Sequence, residues 1–363
     1  MKKTVAQRLW NLFVTNGYRF SSVYGYKQIQ KWRSLKNKYE DKRVFLIANG
    51  ASLNITPLYL LKNEYTIMFN HSKLILERLN YIPSFYMLTD GLVGLDTKED
   101  IEWWTEKSEY TFIPDIVKSE MVWLRKALGN NDKIMWMFEE YMPFSKCLPF
   151  VKPGATVIFE AFQVLRYLGF SEVIVVGNDM DYVVHQTAKI IEENEVCGKK
   201  TQKIQSQKDD DPNHFDPRYF GKGKVYHQPT QEVIERMKNN LDRVAEEYRK
   251  SATKVINAGY NSKVDSFPKQ NFYDALGYSQ QKIDQLFEEL VVSKGFESLS
   301  SFLRKSQKTN GQLRNDIDIA DVPMSVANDV IRKNLLDYLP LGPYKDRVFL
   351  VNRKLIKTNK ELS

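Results

Sequence analysis

The sequence predicts an α/β fold: a Rossmann-like, twisted, mostly parallel sheet with helices on both faces, plus a helical N-terminal arm and a helical C-terminal region. Three observations predict it. Apolar runs at 44–48 (VFLIA) and 172–176 (EVIVV) lack polar alternation, as strands buried on both faces do. Such runs stop at small or polar residues: Asn49-Gly50, Asn70-His71, Thr89-Asp90 and Gly177-Asn178-Asp179. Between Pro153 and Val176 a helical pattern, a glycine stop and a β-branched run follow in direct succession, the rhythm of an open parallel sheet whose strand ends line a crevice. The expected organisation is an arm over 1–40, a sheet domain over 41–268 and a helical region over 269–363.

The arm carries helical spacing (Val5, Leu9, Leu12, Ile29, Trp32, Leu35) interleaved with Lys2, Lys3, Arg8, Lys27 and Lys31. Packing on the main domain is the favoured reading. Peripheral contact with an anionic membrane surface is the other. Next comes RVFLIANGASL over 43–53, a strand ending in a small-residue loop. Gly50 lets a ligand approach main-chain N–H groups, and Ser52 is a candidate helix cap that would turn a helix N-terminus toward phosphate. Further strands are expected at 65–69, 84–88 and 110–113. The Trp-, Met- and Phe-rich stretch 115–150, with Trp123, Met135, Trp136, Tyr141, Met142 and Phe144, reads as core. A helix opening at Gly154 and Thr156 ends at Gly169, a natural left-handed stop. The strand after it places Asp179 at its carboxyl end. Residues 186–210 are polar and read as a surface loop. The stretch DDDPNHFDPRYFGKGKVYHQP, 209–229, is a long loop with chemistry-bearing content. A helix follows over 232–248, then a strand over 254–258 ending at Asn261-Ser262. Residues 271–340 read as helical.

Composition sets bounds. With 363 residues and 42% hydrophobic content, the chain can bury a sizeable core. A net charge of +8 points to an anionic partner such as a nucleotide, a phosphorylated glycan or a membrane surface. Cys147 and Cys197 match neither a disulfide framework nor a metal knuckle, so a reducing, cytoplasmic setting is expected. The first apolar stretch is broken by Arg8, Asn11 and Asn16 and lacks a secretory core; no run reaches spanning length. No compact basic motif points to nucleic acid.

The ordered set Asn49-Gly50-x-Ser52-Leu53, Asn70, Gly154, Gly177-x-Asp179, a tyrosine, a histidine before a helix and a final Asn-Ser resembles the bacterial sialyltransferases of glycosyltransferase family 42. It is also similar to domain of unknown function 115, the MptE-like group of hydroxymethylpterin diphosphokinases found with surface-polysaccharide genes. The resemblance covers about residues 35 to 268 and implies a GT-A-like variant. In that family the first loop reads N-G-P-S-L; Ala51 stands here in place of the proline. The resemblance implies that Asn49, Gly50, Ala51, Ser52, Asn70, Asp90, Gly154 and Asp179 hold the nucleotide. It implies His227 as general base and Tyr182 at the leaving phosphate; by residue chemistry alone His214 is a rival base, and Tyr219, Tyr226, Lys222 and Lys224 are further candidates to stabilise an anionic leaving group. The family opens its helix T-S-G where this chain has Lys152-Pro153-Gly154, and Tyr182 is displaced by one position.

The implied activity is metal-independent, inverting transfer of an acidic sugar (sialic acid, another nonulosonic acid or Kdo) from a CMP donor to an oligosaccharide or lipid-linked glycan, for capsule or lipopolysaccharide. A histidine near its ordinary pKa suits the acceptor hydroxyl at neutral pH. No metal site is expected in the donor loop, and Asp209-Asp210-Asp211 reads as a solvated run. His71 and His185 read as structural. A homo-oligomer is compatible with all of this. Two other readings stand: a Mg²⁺-dependent pyrophosphokinase of the MptE-like type, and a non-catalytic nucleotide-binding protein of polysaccharide assembly.

Overall fold

The computed structural model describes residues 23–115, 128, 131–139, 144, 147–196, 199–314 and 316–356. The expectations for residues 1–22, Trp123, Tyr141, Met142 and Cys197 lie outside them.

Among these residues α1 (Val23–Leu35) leads into β1 (Arg43–Ile47), followed by β2 (Tyr65–Phe69), β3 (Phe85–Met87), α2 (Gly91–Asp96), α3 (Lys98–Lys107) and β4 (Tyr110–Pro114). Then come β5 (Ile134–Glu139), β6 (Phe150–Val151), α4 (Val157–Leu168) and β7 (Glu172–Val176). An excursion, β8 (Lys189–Val196), β9 (Lys199–Gln205) and β10 (Val225–Gln228), precedes α5 (Gln231–Arg249) and β11 (Lys254–Asn257). The eight-stranded sheet runs β11-β7-β1-β2-β3-β4-β5-β6, and each neighbouring pair is parallel. The chain therefore has the α/β, Rossmann-like fold that its apolar runs predict.

Those runs lack alternation because both faces are covered. Phe45 and Ile47 of β1 enter one core with Met68, Tyr86, Ile174 and Val176. Val44, Leu46 and Ala48 enter the other, with α4 and α5. Trp32 of α1 is fully buried in that second core, and its Nε1–H donates to Trp136 O at 2.8 Å. This part of the arm is packed on the domain. Gly169 ends α4 at φ 90°. No described helix is long and apolar enough to cross a membrane.

Two expectations are corrected. The polar stretch 186–210 is not simply a loop: β8 and β9 form an antiparallel ribbon with β10 at its edge. Backbone pairing holds it, so charged side chains do not prevent it. The C-terminal region is not purely helical either. After α6 (Phe272–Leu276), α7 (Gln280–Ser293) and α8 (Leu299–Lys305) come β12 (Gln307–Lys308), β13 (Ile319–Pro323), α9 (Met324–Asn334), β14 (Tyr338–Tyr344) and β15 (Arg347–Asn352). They build a four-stranded sheet, β12-β13-β15-β14, one face of which, with Leu339, Leu341 and Phe349, joins the core of Phe45 and Ile47, while the other packs with α9 and Ile55 in a smaller core. Prolines and a glycine within IADVP and YLPLGPY disguise these strands; β14 absorbs them at a bulge between Pro340 and Gly342.

Candidate functional site

From β1 the sheet grows one way through β2 to β6 and the other way through β7 to β11. The strand order thus reverses between β1 and β7, the place where open α/β sheets bind ligands at their carboxyl ends. Pairing continues past both strands: Gly50 N–H donates to Gly177 O at 2.8 Å. A Cβ on Gly50 would lie 2.6 Å from that same carbonyl and would strike the Asp179 carboxylate, so only glycine fits.

Ser52 does not cap a helix. Gly50 is the N-cap of a 3₁₀ turn, Ala51–Ile55, and Ser52 is spent on Asp179 instead. Its N–H donates to Asp179 Oδ2 at 2.9 Å, and its hydroxyl donates to Oδ1. Burial pushes the Asp179 carboxyl up, against the lowering effect of these bonds. Asn70 closes β2 in a left-handed conformation, φ 52°, with its backbone O accepting from Tyr86 Oη at 2.8 Å. Asp90 is the N-cap of α2, accepting from Leu92 N and Val93 N.

The loop carrying His214 folds back onto the strand ends. Gly50 and His214 form an antiparallel bridge, and Phe215 N–H donates to Asn49 O at 3.1 Å. His214 Nδ1 lies 2.8 Å from Asp211 Oδ2. Asp211 also accepts from Asn213 N and Phe220 N. Burial alone would raise its pKa; His214 and these bonds outweigh that and hold it below the usual carboxylate range. An ionised carboxylate accepts only, so Nδ1 carries the proton and a neutral ring keeps its lone pair on Nε2. The ring stacks on Tyr219, with centroids 3.9 Å apart. Arg332 of α9 donates to Asp211 O at 2.9 Å, so the C-terminal unit supports this loop.

His227 lies on β10, exposed, without this support. His185 has both nitrogens engaged, Nδ1 with the Tyr226 hydroxyl and Nε2 with Asp210 Oδ1 at 2.8 Å. His71 is buried and its pKa is pushed down to about 3, by burial first and Lys224 second. The three aspartates diverge: Asp209 accepts from Lys222 N, Asp210 from His185 and Thr187, and Asp211 serves His214. The expectation of a solvated run holds for Asp209, which is exposed, and in part for Asp210, but not for Asp211, which is buried. Lys224 pairs with Asp96 at 2.9 Å.

These parts enclose a cavity of ≈ 680 Å³. Asn49, Gly50, Asn70, Asp90, Asp179, Tyr182, Tyr219, Tyr226, His214 and His227 all line it. Ala51, Ser52, Gly154, Lys222 and Lys224 are not among its lining residues. Ser52 stands behind Asp179, while Gly154 N–H donates to Glu160 Oε1 at 2.9 Å, so both act on the wall from outside.

The tyrosines differ in what their hydroxyls can still do. The Tyr226 O–H is directed to His185, whose other nitrogen serves Asp210. Tyr219 is bonded by the Asn70 side chain and His71 N–H. Tyr182, pushed up to about 12 by burial and then by Asp179, lines the cavity with no hydrogen-bond partner among the described residues. Sequence reasoning missed Glu160, Asn178 and Arg236, which also line the cavity. The one available signal was Glu160, a lone carboxylate in the apolar run VIFEAF.

Buried polar atoms without partners gather here: Asn49 Oδ1, Asn70 Oδ1, Glu160 Oε2, Asn178 Nδ2, Gln228 Oε1 and Thr230 Oγ1. Such concentration is what a polar ligand site shows. Among the described lining residues the carboxylic side chains are Asp90, Glu139, Glu160, Asp179 and Asp181, against Arg236 as the lysine or arginine. No group of three or more His, Cys, Asp or Glu among the described residues is arranged to hold a metal ion. Set against known proteins, the chain matches no family model, and no curated protein matches it either.

Proposed function

We propose that the chain is an inverting glycosyltransferase that takes an acidic sugar from a CMP donor and joins it to a glycan acceptor of a bacterial surface polysaccharide. The observation that carries this is one cavity at the strand-order reversal, with an imidazole oriented by a buried carboxylate facing the Gly50–Asp179 loop.

In this reading His214, rather than His227, is the base. Its Nε2 takes the acceptor proton as the acceptor oxygen attacks the anomeric carbon. The bond from that carbon to the phosphate oxygen breaks, and CMP leaves with the electron pair. Tyr182 offers its free hydroxyl to the departing phosphate. Asn49, Asn70 and the Gly50 turn hold the nucleotide. The charge balance supports a donor with a single phosphodiester over one with a di- or triphosphate, because Arg236 alone among the described lysines and arginines lines the cavity.

The same acidic surplus is what favours the second reading, a Mg²⁺-dependent pyrophosphokinase, since bound cations would offset it. Titration with CMP, CDP, UDP, GDP and ATP, each with and without Mg²⁺ and followed by thermal shift, separates them. The proposal expects stabilisation by CMP without Mg²⁺; a response to ATP·Mg²⁺ alone would replace it.

A further inference from the structure

Glu160 sits in the first turn of α4, only 4% exposed, and lines the cavity. One carboxyl oxygen is fixed: Oε1 accepts from Gly154 N–H at 2.9 Å. The other, Oε2, has no partner. The loop before it is held from three sides. Gln163 bonds both Lys152 N and Lys152 O, and Asn240 donates to Gly154 O at 2.7 Å. A Cβ on Gly154 would strike Phe159. Glu160 therefore cannot swing to solvent, and its free oxygen stays at the wall.

An ionised carboxylate held this way would be a buried, half-bonded charge, whereas a protonated one needs only an acceptor for its O–H. We propose that Glu160 is a specificity-determining residue whose uncharged carboxyl donates a hydrogen bond from Oε2 to an anionic oxygen of the bound donor. This rests on the donor reading above. The electrostatics agree: burial first, and Glu139 at the end of β5 last, raise the carboxyl to about 8 against the lowering bonds from Gly154 N–H and Glu160's own N–H. Arg236, on α5, is the other charged group of α4 and α5 on this cavity.

Two measurements test this. Without ligand, the pH dependence of stability is compared for wild type and Glu160→Gln. If Glu160 is protonated, wild type loses stability relative to the variant from about pH 5 to 8. Parallel curves overturn the proposal whatever the donor is. With ligand, CMP and CMP-N-acetylneuraminate are titrated by calorimetry at pH 6.5 and 9.5. Wild type is expected to bind at least about tenfold more weakly at pH 9.5, Glu160→Gln to change less than about threefold, and Glu160→Ala to bind weakly at both. Loss confined to the CMP-sugar places the contact at the sugar carboxylate; loss with CMP as well places it at the phosphate. Glu160→Ala binding as tightly as wild type overturns the contact. If neither probe binds any of the three proteins, the donor reading falls and this contact falls with it; tight CMP binding with parallel stability curves sinks Glu160 alone.

Discussion

Asp210 and Asp211 are neighbours, each bonded to a histidine at 2.8 Å, yet the two pairs face different tasks. Asp211 is 1% exposed and His214 18%, with the ring on the cavity. Asp210 is 37% exposed and His185 2%, and both nitrogens of His185 are spent inside the protein. In the first pair the carboxylate is hidden and the imidazole open; in the second the order is reversed. An imidazole acts on a ligand only when one nitrogen remains free, and of the two pairs the first leaves one on the cavity. The second is a clamp, holding Tyr226 and the segment after Tyr182 in place.

The contrast is most sharply broken by exchanging the carboxylates one at a time. Asp211→Asn is expected to lower transfer by about 10²-fold or more, through loss of the tautomer that leaves Nε2 free. Asp210→Asn should leave kcat within a few-fold. Steady-state kinetics with a CMP-sugar checks both.

Gly50→Ala tests the neighbouring wall. The added methyl meets Asp179 and, at 2.6 Å, Gly177 O, so about 1–3 kcal/mol of destabilisation is expected, together with lost CMP binding. Chemical unfolding and calorimetry read the two effects. His185→Ala should act on stability alone, by about 1–3 kcal/mol, because it removes the buried ring that bonds both the Tyr226 hydroxyl and Asp210. An unchanged unfolding midpoint would refute the clamp.

Glu160 is read as a slope across pH rather than as a change at one pH. Its folded pKa, about 8, lies above the ordinary 4.5, so between these values the unfolded chain binds fewer protons. The stability it contributes is complete below about pH 4.5 and declines as pH rises toward 8, by at most about 1.4 kcal/mol per pH unit. Glu160→Gln should remove that slope.

Much of the sheet was legible because burial on both faces leaves a plain mark: RVFLI and EVIVV have nothing polar to alternate with. The crevice followed from where these runs stop. The β8–β9 ribbon was not legible, since KIIEENEV and KKTQKIQ are joined by backbone bonds that side-chain patterning does not report. The choice between His214 and His227 was equally hidden. Both sit in one stretch; the carboxylate of His214 is local, three residues away in Asp211, but its place on the cavity comes from the fold-back of that stretch onto Gly50. Ser52 looked like a helix cap because a serine after a glycine turn often is one; a partner 127 positions away, Asp179, claimed it.

The central claim is that the histidine bridged to Gly50 does the chemistry. Transfer from CMP-N-acetylneuraminate, measured side by side for His214→Ala and His227→Ala at equal folded concentration, tests it most directly. The account predicts a loss of about 10²–10⁴-fold for His214→Ala and less than about tenfold for His227→Ala. The reverse ranking would contradict it.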